Sequence, residues 1–178
     1  MKYLFLFASL FVYTFSFAQA KDRVKQKPYS FSVEGEVNQK ISFTLEDATK
    51  YSSIFIDSLV IYNHLMEKRK TYKNIKGVLI KDVVNTAGIK MEKPKLLSEF
   101  YFTCIAHDGY KVVFSWNELF NTAVGKKAIV VTSIDGKPVQ DGNDGMIILS
   151  AADEATGRRL VFDLEKIIVN RVPEILQR

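Results

Sequence analysis

Alternating apolar and polar residues mark several segments of the chain as β-strands. In residues 29–34, Tyr29, Phe31 and Val33 alternate with polar neighbours, and this period of two predicts a half-buried strand. The run Asp57–Tyr62 is mostly apolar and predicts a buried strand. Further strands are predicted at residues 40–43, 100–106, 110–116, 128–134, 146–150 and 160–172.

Two or three short helices are predicted between these strands. Residues 77–88 have apolar positions at helical spacing, and Gly88 supplies the C-terminal stop. Thr44 is a predicted N-cap, and residues 117–122 form another short helix capped by Ser115 or Asn117. The basic stretch 67–76 is predicted to be a loop. Strands joined mainly by turns, with few interposed helices, indicate the α+β class.

The only cysteine lies close to one of the two histidines, in a segment that is predicted to be a β-hairpin. Strand alternation places Cys104 on the same face as aromatic residues, whereas His107 points to the opposite face. A reactive thiol needs an electropositive, partly exposed setting, and a buried one behaves as a small apolar side chain. We therefore interpret Cys104 as a core residue, and Asp108 with Gly109 as a type I′ turn.

The N-terminal pattern concerns the destination of the protein. Residues 1–20 combine Lys2, an apolar run and the sequence Ala18-Gln19-Ala20, as in a cleaved secretory signal peptide. The apolar run is too short for a membrane span. We expect cleavage near Ala20, a flexible lead-in at 21–28, and one domain at 29–175 in a periplasmic or secreted protein.

Charge and ligand types narrow the function further. The chain has 25 Lys and Arg against 20 Asp and Glu, and the cationic surplus is scattered along the sequence. Nucleic-acid-binding proteins concentrate such charge on one face, so we expect no nucleic acid partner. Two histidines and one cysteine are too few for a typical zinc site. No phosphate-binding glycine loop or nucleophile elbow occurs.

Several segments, read in order, are similar to the molybdopterin-binding domain of the sulfite oxidase family. The similarity extends from about residue 33 to residue 169. The segments that carry it are 33–37 with 43–47, 77–84 with 87–88, 108–110 with 114–115 and 118–119, 135–138 with 144–145, and 157–159 with 167–169.

The resemblance implies a mixed β-sheet, sandwich-like α+β fold that holds molybdopterin or a related pterin. In that family a cysteine thiolate, on the strand before the Gly-Val helix, binds molybdenum. The matching residues 59–64 contain no cysteine, and Cys104 is out of register. The proline and arginine that the family has after its Asp-Gly turn are replaced here by residues 146–149. Both departures argue against molybdenum chemistry, because molybdenum centres of this kind use a soft thiolate.

The resemblance further implies that His64, His107, Arg158 and Arg159 line a cofactor cleft, with the arginines binding a phosphate. Alternatively, one arginine faces solvent while the other pairs with an acidic neighbour, and the histidines have only surface roles. Residues 68–70 either rim the cleft or belong to a solvated loop.

The sequence leaves three functions open. The first is an exported binding module for a pterin or other small anion, without molybdenum ligation. The second is an active small molybdopterin-dependent oxidoreductase. The third is a purely structural or envelope-interaction protein that binds no small ligand, and any protein partner is unknown. A fold does not fix a function, so the site residues must decide among these.

Overall fold

A computed structural model of the protein describes residues 29–173. The predicted signal peptide (1–20), the predicted lead-in (21–28) and the last two residues of the predicted domain lie outside the described residues. The described strands are β1 (Ser30–Gly35), β2 (Ile41–Thr44), β3 (Ile54–Tyr62), β4 (Lys68–Leu79), β5 (Phe100–Ala106), β6 (Lys111–Ser115), β7 (Ala128–Ile134), β8 (Lys137–Pro138), β9 (Ile147–Ser150) and β10 (Leu164–Arg171).

The helices are short, as the sequence predicts. The α-helices are α1 (Ile80–Ala87) and α2 (Trp116–Asn121), and short 3-10 segments lie at Asp47–Lys50, Pro94–Glu99, Val124–Lys126, Val139–Asp141 and Thr156–Arg159. Helix α1 begins three residues later than predicted, because residues 77–79 pair with β7 as the end of β4. Gly88 ends it at a φ of 65°, which glycine adopts without strain. No helix in residues 29–173 is long and apolar enough to cross a bilayer.

The strands form two sheets. The first has the order β2-β1-β10-β5-β6, with β1 and β10 parallel and the other pairs antiparallel. The second has the order β3-β4-β7-β8 and is antiparallel, and β9 also pairs with β7. The α+β class with a mixed sheet is therefore confirmed.

The central strand β7 is buried on both faces and joins two apolar cores. On one face Ala128 and Val130 pack in a large cluster with α1 and the inner face of the first sheet. On the other face Ile129 and Val131 pack in a smaller cluster with residues of the β3–β4 hairpin. Burial of apolar surface in these two clusters is the main stabilising term in this fold.

The basic stretch 67–76 is not a loop, contrary to the sequence prediction. Residues 68–79 form β4, which pairs with β3 along its length. Strand β3 lies at the edge of the second sheet and is only partly buried, so its predicted burial is also wrong. The sequence pattern is obscured at Asn74, whose φ of 47° breaks the alternation so that Tyr72 and Ile75 are both buried.

The hairpin of β5 and β6 is confirmed, but its predicted turn type is wrong. Asp108 does not have the positive φ that a type I′ turn requires, although Gly109 has a φ of 86°. The Gly109 N–H donates to the Ala106 carbonyl, and the Ala106 N–H donates to the Tyr110 carbonyl. This is a three-residue loop with a glycine bulge. Within the described range, a two-residue turn with positive φ at both positions occurs at Asp135-Gly136.

Candidate functional site

A surface cleft of about 550 Å³ lies where three connections meet. They are the β3–β4 turn, the β5–β6 turn, and the segment between β9 and β10. The residues lining the cleft are Ile61, Tyr62, Asn63, His64, Arg69, Tyr110, Gly157, Arg158, Leu160 and Phe162. The cleft thus combines aromatic walls with two guanidinium groups and an imidazole.

Thr156 fixes the base of the cleft against strand β3. Its hydroxyl donates to the Val60 carbonyl at 2.7 Å and accepts from the Tyr62 N–H at 2.9 Å. Both hydrogen bonds are part-buried, and each supplies a backbone group with the partner that water would otherwise have to provide. The 3-10 turn at 156–159 is thereby held against the end of β3.

Gly157 and Tyr110 complete the attachment of this turn. A Cβ atom on Gly157 would lie 2.7 Å from the Tyr62 carbonyl oxygen, so only glycine allows this close approach. The Tyr110 hydroxyl donates to the Arg158 carbonyl oxygen at 2.6 Å. The β5–β6 turn and the β3 end therefore both hold the backbone that carries Arg158.

Arg159 points away from the cleft into an ion-pair network. Its guanidinium donates two bonds to Asp153, at 2.6 and 2.7 Å, and a third to Glu118 at 2.8 Å. The group also lies 4.3 Å above the Phe114 ring, and its side chain is 17% exposed. The sequence left open whether one arginine pairs with an acidic neighbour, and the structure assigns that role to Arg159.

The same network anchors the start of α2. The Ser115 hydroxyl accepts from the Glu118 N–H, and the Glu118 carboxylate accepts from the Ser115 N–H, which forms a capping box. Burial acts to raise the pKa of Glu118, but the Ser115 N–H and the Arg159 guanidinium outweigh it and hold that pKa below its usual value. A charged Glu118 therefore serves both the helix and Arg159.

Arg158 and Arg69 have a different environment. Both line the cleft, both are exposed, and neither side chain forms an ion pair or hydrogen bond with another residue in 29–173. His64 lines the same cleft and is also exposed. These three nitrogen-bearing side chains can donate hydrogen bonds to an anion without breaking an existing contact.

His107 lies elsewhere and does not line the cleft. It follows β5 in the hairpin turn, where its Nδ1 is 3.9 Å from an Asp163 carboxylate oxygen. Of the four predicted cofactor-binding residues, the structure brings His64 and Arg158 together. A cofactor-binding role for any of the four remains a prediction.

Cys104 is fully buried within the large core, on the predicted face of β5. Burial raises the pKa of its thiol to about 12, despite a small opposing effect of Arg159. Residues 29–173 contain no group of three or more His, Cys, Asp or Glu side chains placed to hold a metal ion. The cleft residues suit an anionic group, and they do not supply the thiolate that a molybdenum centre would need.

Sequence reasoning missed Tyr110 and Phe162 as cleft residues. The sequence places Tyr110 in a strand, whereas it directly follows the three-residue hairpin loop and precedes β6. Phe162 was also assigned to a strand, although it precedes β10. An aromatic residue directly after an Asp-Gly turn was the one signal that pointed to Tyr110.

The chain has no matching family profile, and no curated protein is significantly similar to it in sequence. Its structure is similar to the crystal structure of the sulfane dehydrogenase SoxCD from Paracoccus pantotrophus, with a TM-score of 0.54 and 11% sequence identity. The match covers 82% of this chain and 39% of that chain, so this chain spans about two fifths of its structural neighbour. At this identity the similarity shows a shared fold and nothing further.

Proposed function

We propose that the chain is an exported, non-redox binding module whose cleft takes a pterin or another small anion. The observation that carries this proposal is the unpaired state of Arg158 and Arg69 in the described part of the chain. Both guanidinium groups line a cleft, while neighbouring Arg159 is fully paired. An arginine pair without carboxylate partners is a ready site for a carboxylate or phosphate group.

The shape of the cleft supports a small organic anion. Its volume of about 550 Å³ lies in the usual range for small-molecule sites. Tyr110 and Phe162 offer flat apolar faces beside the guanidinium groups. A planar heteroaromatic ring with a charged substituent would stack on such faces and place its charge on the arginines.

Two lines of evidence favour a pterin among such anions. Segments along most of the chain resemble the molybdopterin-binding domain of the sulfite oxidase family, and the fold is shared with a sulfane dehydrogenase. The donor set of the cleft lacks a thiolate, and Cys104 stays protonated at neutral pH inside the core. The proposal is therefore a pterin or anion site that does not ligate molybdenum.

The test is a titration of the purified protein with pterin-6-carboxylate, followed by fluorescence anisotropy, and with inorganic pyrophosphate, followed by calorimetry. We expect both to bind, and the Arg158→Gln and Arg69→Gln variants to bind at least about tenfold more weakly, since each loses a charged hydrogen bond. Lys93→Gln removes an exposed charge outside the cleft and should bind like the unmodified protein. Absence of binding, or equal losses in all three variants, would refute the proposal.

A second candidate is a molybdopterin-dependent oxidoreductase, which the shared fold with a dehydrogenase favours. Metal analysis of protein purified from a host that makes molybdenum cofactor separates the two. Stoichiometric molybdenum would establish the second candidate and overturn the first. Pterin without metal would support the binding module.

A further inference from the structure

The turn between β3 and β4 exposes two large apolar side chains at its outermost point. Leu65 is 64% exposed and Met66 is 53% exposed. They lie in the turn that connects β3 and β4 and do not line the cleft described above. Apolar side chains that are exposed to water at a protruding tip carry an unfavourable hydration free energy. Contact with another apolar phase would remove this cost.

The tip is held rigidly in this form. The Asn63 side-chain oxygen accepts from the backbone N–H groups of Leu65 and Glu67, at 3.0 and 2.9 Å. The Asn63 side-chain nitrogen donates to the Glu67 carboxylate at 2.7 Å. Met66 has a φ of 60°, which is uncommon for a residue with a bulky side chain. The turn thus displays Leu65 and Met66 at some conformational cost.

Cations follow the tip directly. Lys68, Arg69 and Lys70 are exposed. A β-bulge at Arg69 places Lys68 opposite Tyr62 and Lys70 opposite Ile61, so the two lysines lie on opposite faces of the hairpin. Strands rise about 3.3 Å per residue, so these charges lie within about 13 Å of the tip along the strand. Glu67 is the single acidic residue in the segment 63–70, and the Asn63 side-chain nitrogen donates to its carboxylate.

The partner strand adds an aromatic ring at the same level. Tyr62 pairs with Lys68 across the hairpin, and it is half-buried at the cleft. Tyrosine is enriched where an apolar phase meets water, because its ring is apolar and its hydroxyl is polar. Along the hairpin, the apolar tip is therefore followed by an aromatic ring and a cation at the same level, and then by further cations.

We propose that the β3–β4 hairpin tip docks on an anionic lipid membrane. Leu65 and Met66 enter the boundary between acyl chains and headgroups, and Lys68 and Lys70 face the lipid phosphates. Interfacial segments bury their apolar side about 5–10 Å deep, which places Lys68, about 7 Å from Met66 along the strand, at the level of the headgroups. The proposal concerns the tip, and it does not depend on the anion that the cleft takes.

A protein partner fits this surface less well. A specific protein interface buries about 800 Å² on each side, and two side chains on a hairpin tip supply only a small part of that area. Cations on both faces of the hairpin would also need a partner that surrounds it. A lipid surface surrounds an inserted tip from all sides, so Lys68 and Lys70 both meet phosphate from opposite faces of the hairpin.

The test is co-sedimentation of the purified protein with two kinds of vesicle. One kind contains phosphatidylcholine alone, and the other contains phosphatidylcholine with about 30% phosphatidylglycerol, which gives an anionic surface charge of about the physiological size. We expect binding to the anionic vesicles only. Lys68→Gln with Lys70→Gln, and separately Leu65→Ser with Met66→Ser, should each weaken it at least about tenfold. The apolar run in residues 1–20 is the same in all variants. Differences in vesicle binding among the variants therefore report on the hairpin.

Matched controls lie on the other sheet and on the connection before it. Lys93→Gln with Lys95→Gln removes the same charge from an exposed site, and Val113→Ser removes an exposed apolar group from β6. Both should bind vesicles like the unmodified protein. A Leu65→Trp variant should shift its emission to the blue on anionic vesicles. Equal losses in the control and tip variants, no vesicle binding, or capture by soluble polyglutamate in place of vesicles would overturn the proposal.

Discussion

Arg158 and Arg159 are chain neighbours, yet they occupy two electrostatic environments. Arg159 is bound by two carboxylates and covers the Phe114 ring, whereas Arg158 lines an open cleft without an acidic partner in the described residues. A paired, part-buried arginine stabilises the fold, and an unpaired one at a cleft is available to a ligand. The difference shows that the surrounding residues, not the residue type, decide whether an arginine side chain is already paired within the fold.

Replacing Arg159 should have the largest effect on stability. Arg159→Met retains much of the apolar stem but leaves Asp153, whose side chain is 11% exposed, and Glu118 without their cation. We expect a loss of about 2–4 kcal/mol in the free energy of unfolding, measured by denaturant titration. Arg158→Met should change it by less than about 0.5 kcal/mol. Equal losses in the two variants would remove the distinction between these arginines.

Thr156→Val should have the next largest effect, because it cuts the link between the 156–159 turn and β3. The substitution keeps the shape of the side chain but leaves the Tyr62 N–H and the Val60 carbonyl without this partner. We expect a loss of about 1–3 kcal/mol in denaturant titration, together with weaker binding of pyrophosphate. As a control, Thr49→Val removes an exposed hydroxyl and should cost clearly less.

Acid should weaken the Arg159 network. In the folded state the pKa of Glu118 lies below its ordinary value. At a pH above that ordinary value, the charged carboxylate therefore contributes fully to the stability of the fold. This contribution is lost as the pH falls through the lowered folded-state pKa, starting below about pH 5. Denaturant titrations at several pH values should therefore show a shallower acid loss in Arg159→Met than in Arg158→Met. Parallel pH profiles would contradict the assigned role.

Tyr110→Phe should reduce stability less than Arg159→Met or Thr156→Val, and it tests the contact between the β5–β6 turn and the backbone of Arg158. It removes the hydroxyl that donates to the Arg158 carbonyl but keeps the aromatic ring at the cleft. Because this bond is exposed, we expect a loss of about 0.5 kcal/mol in thermal or denaturant unfolding. Pterin-6-carboxylate should still bind, since ring stacking is retained. A complete loss of binding would mean that the hydroxyl itself contacts the ligand.

The sequence predicts much of this fold where one face of a strand is buried and the other is solvated. The alternation in β5 and the apolar spacing in α1 give these elements and their buried faces. Strand β4 was missed for a physical reason. Its cationic end belongs to a hairpin with both faces exposed, and Asn74 then reverses the alternation, so neither half shows a regular period of two.

The site could be predicted only in part. An Arg-Arg pair indicates anion binding, but nothing local to it shows which member is bound by Glu118, a residue 41 positions away. The cleft is built from three connections that are distant in sequence, so its lining depends on sheet topology. Burial of Cys104 followed from alternation alone, since its strand neighbours on that face are aromatic.

The parallel pairing of β1 with β10 has a consequence for the order in which the protein folds. Residues 32–35 pair with residues 166–169, so the first sheet cannot be completed until almost the whole described chain is present. Contacts between such distant segments slow folding, because a long loop must close before they form. During synthesis the apolar side of the β1–β2 pair stays exposed until β10 has been made. In this interval the chain is most prone to aggregation and most accessible to chaperones.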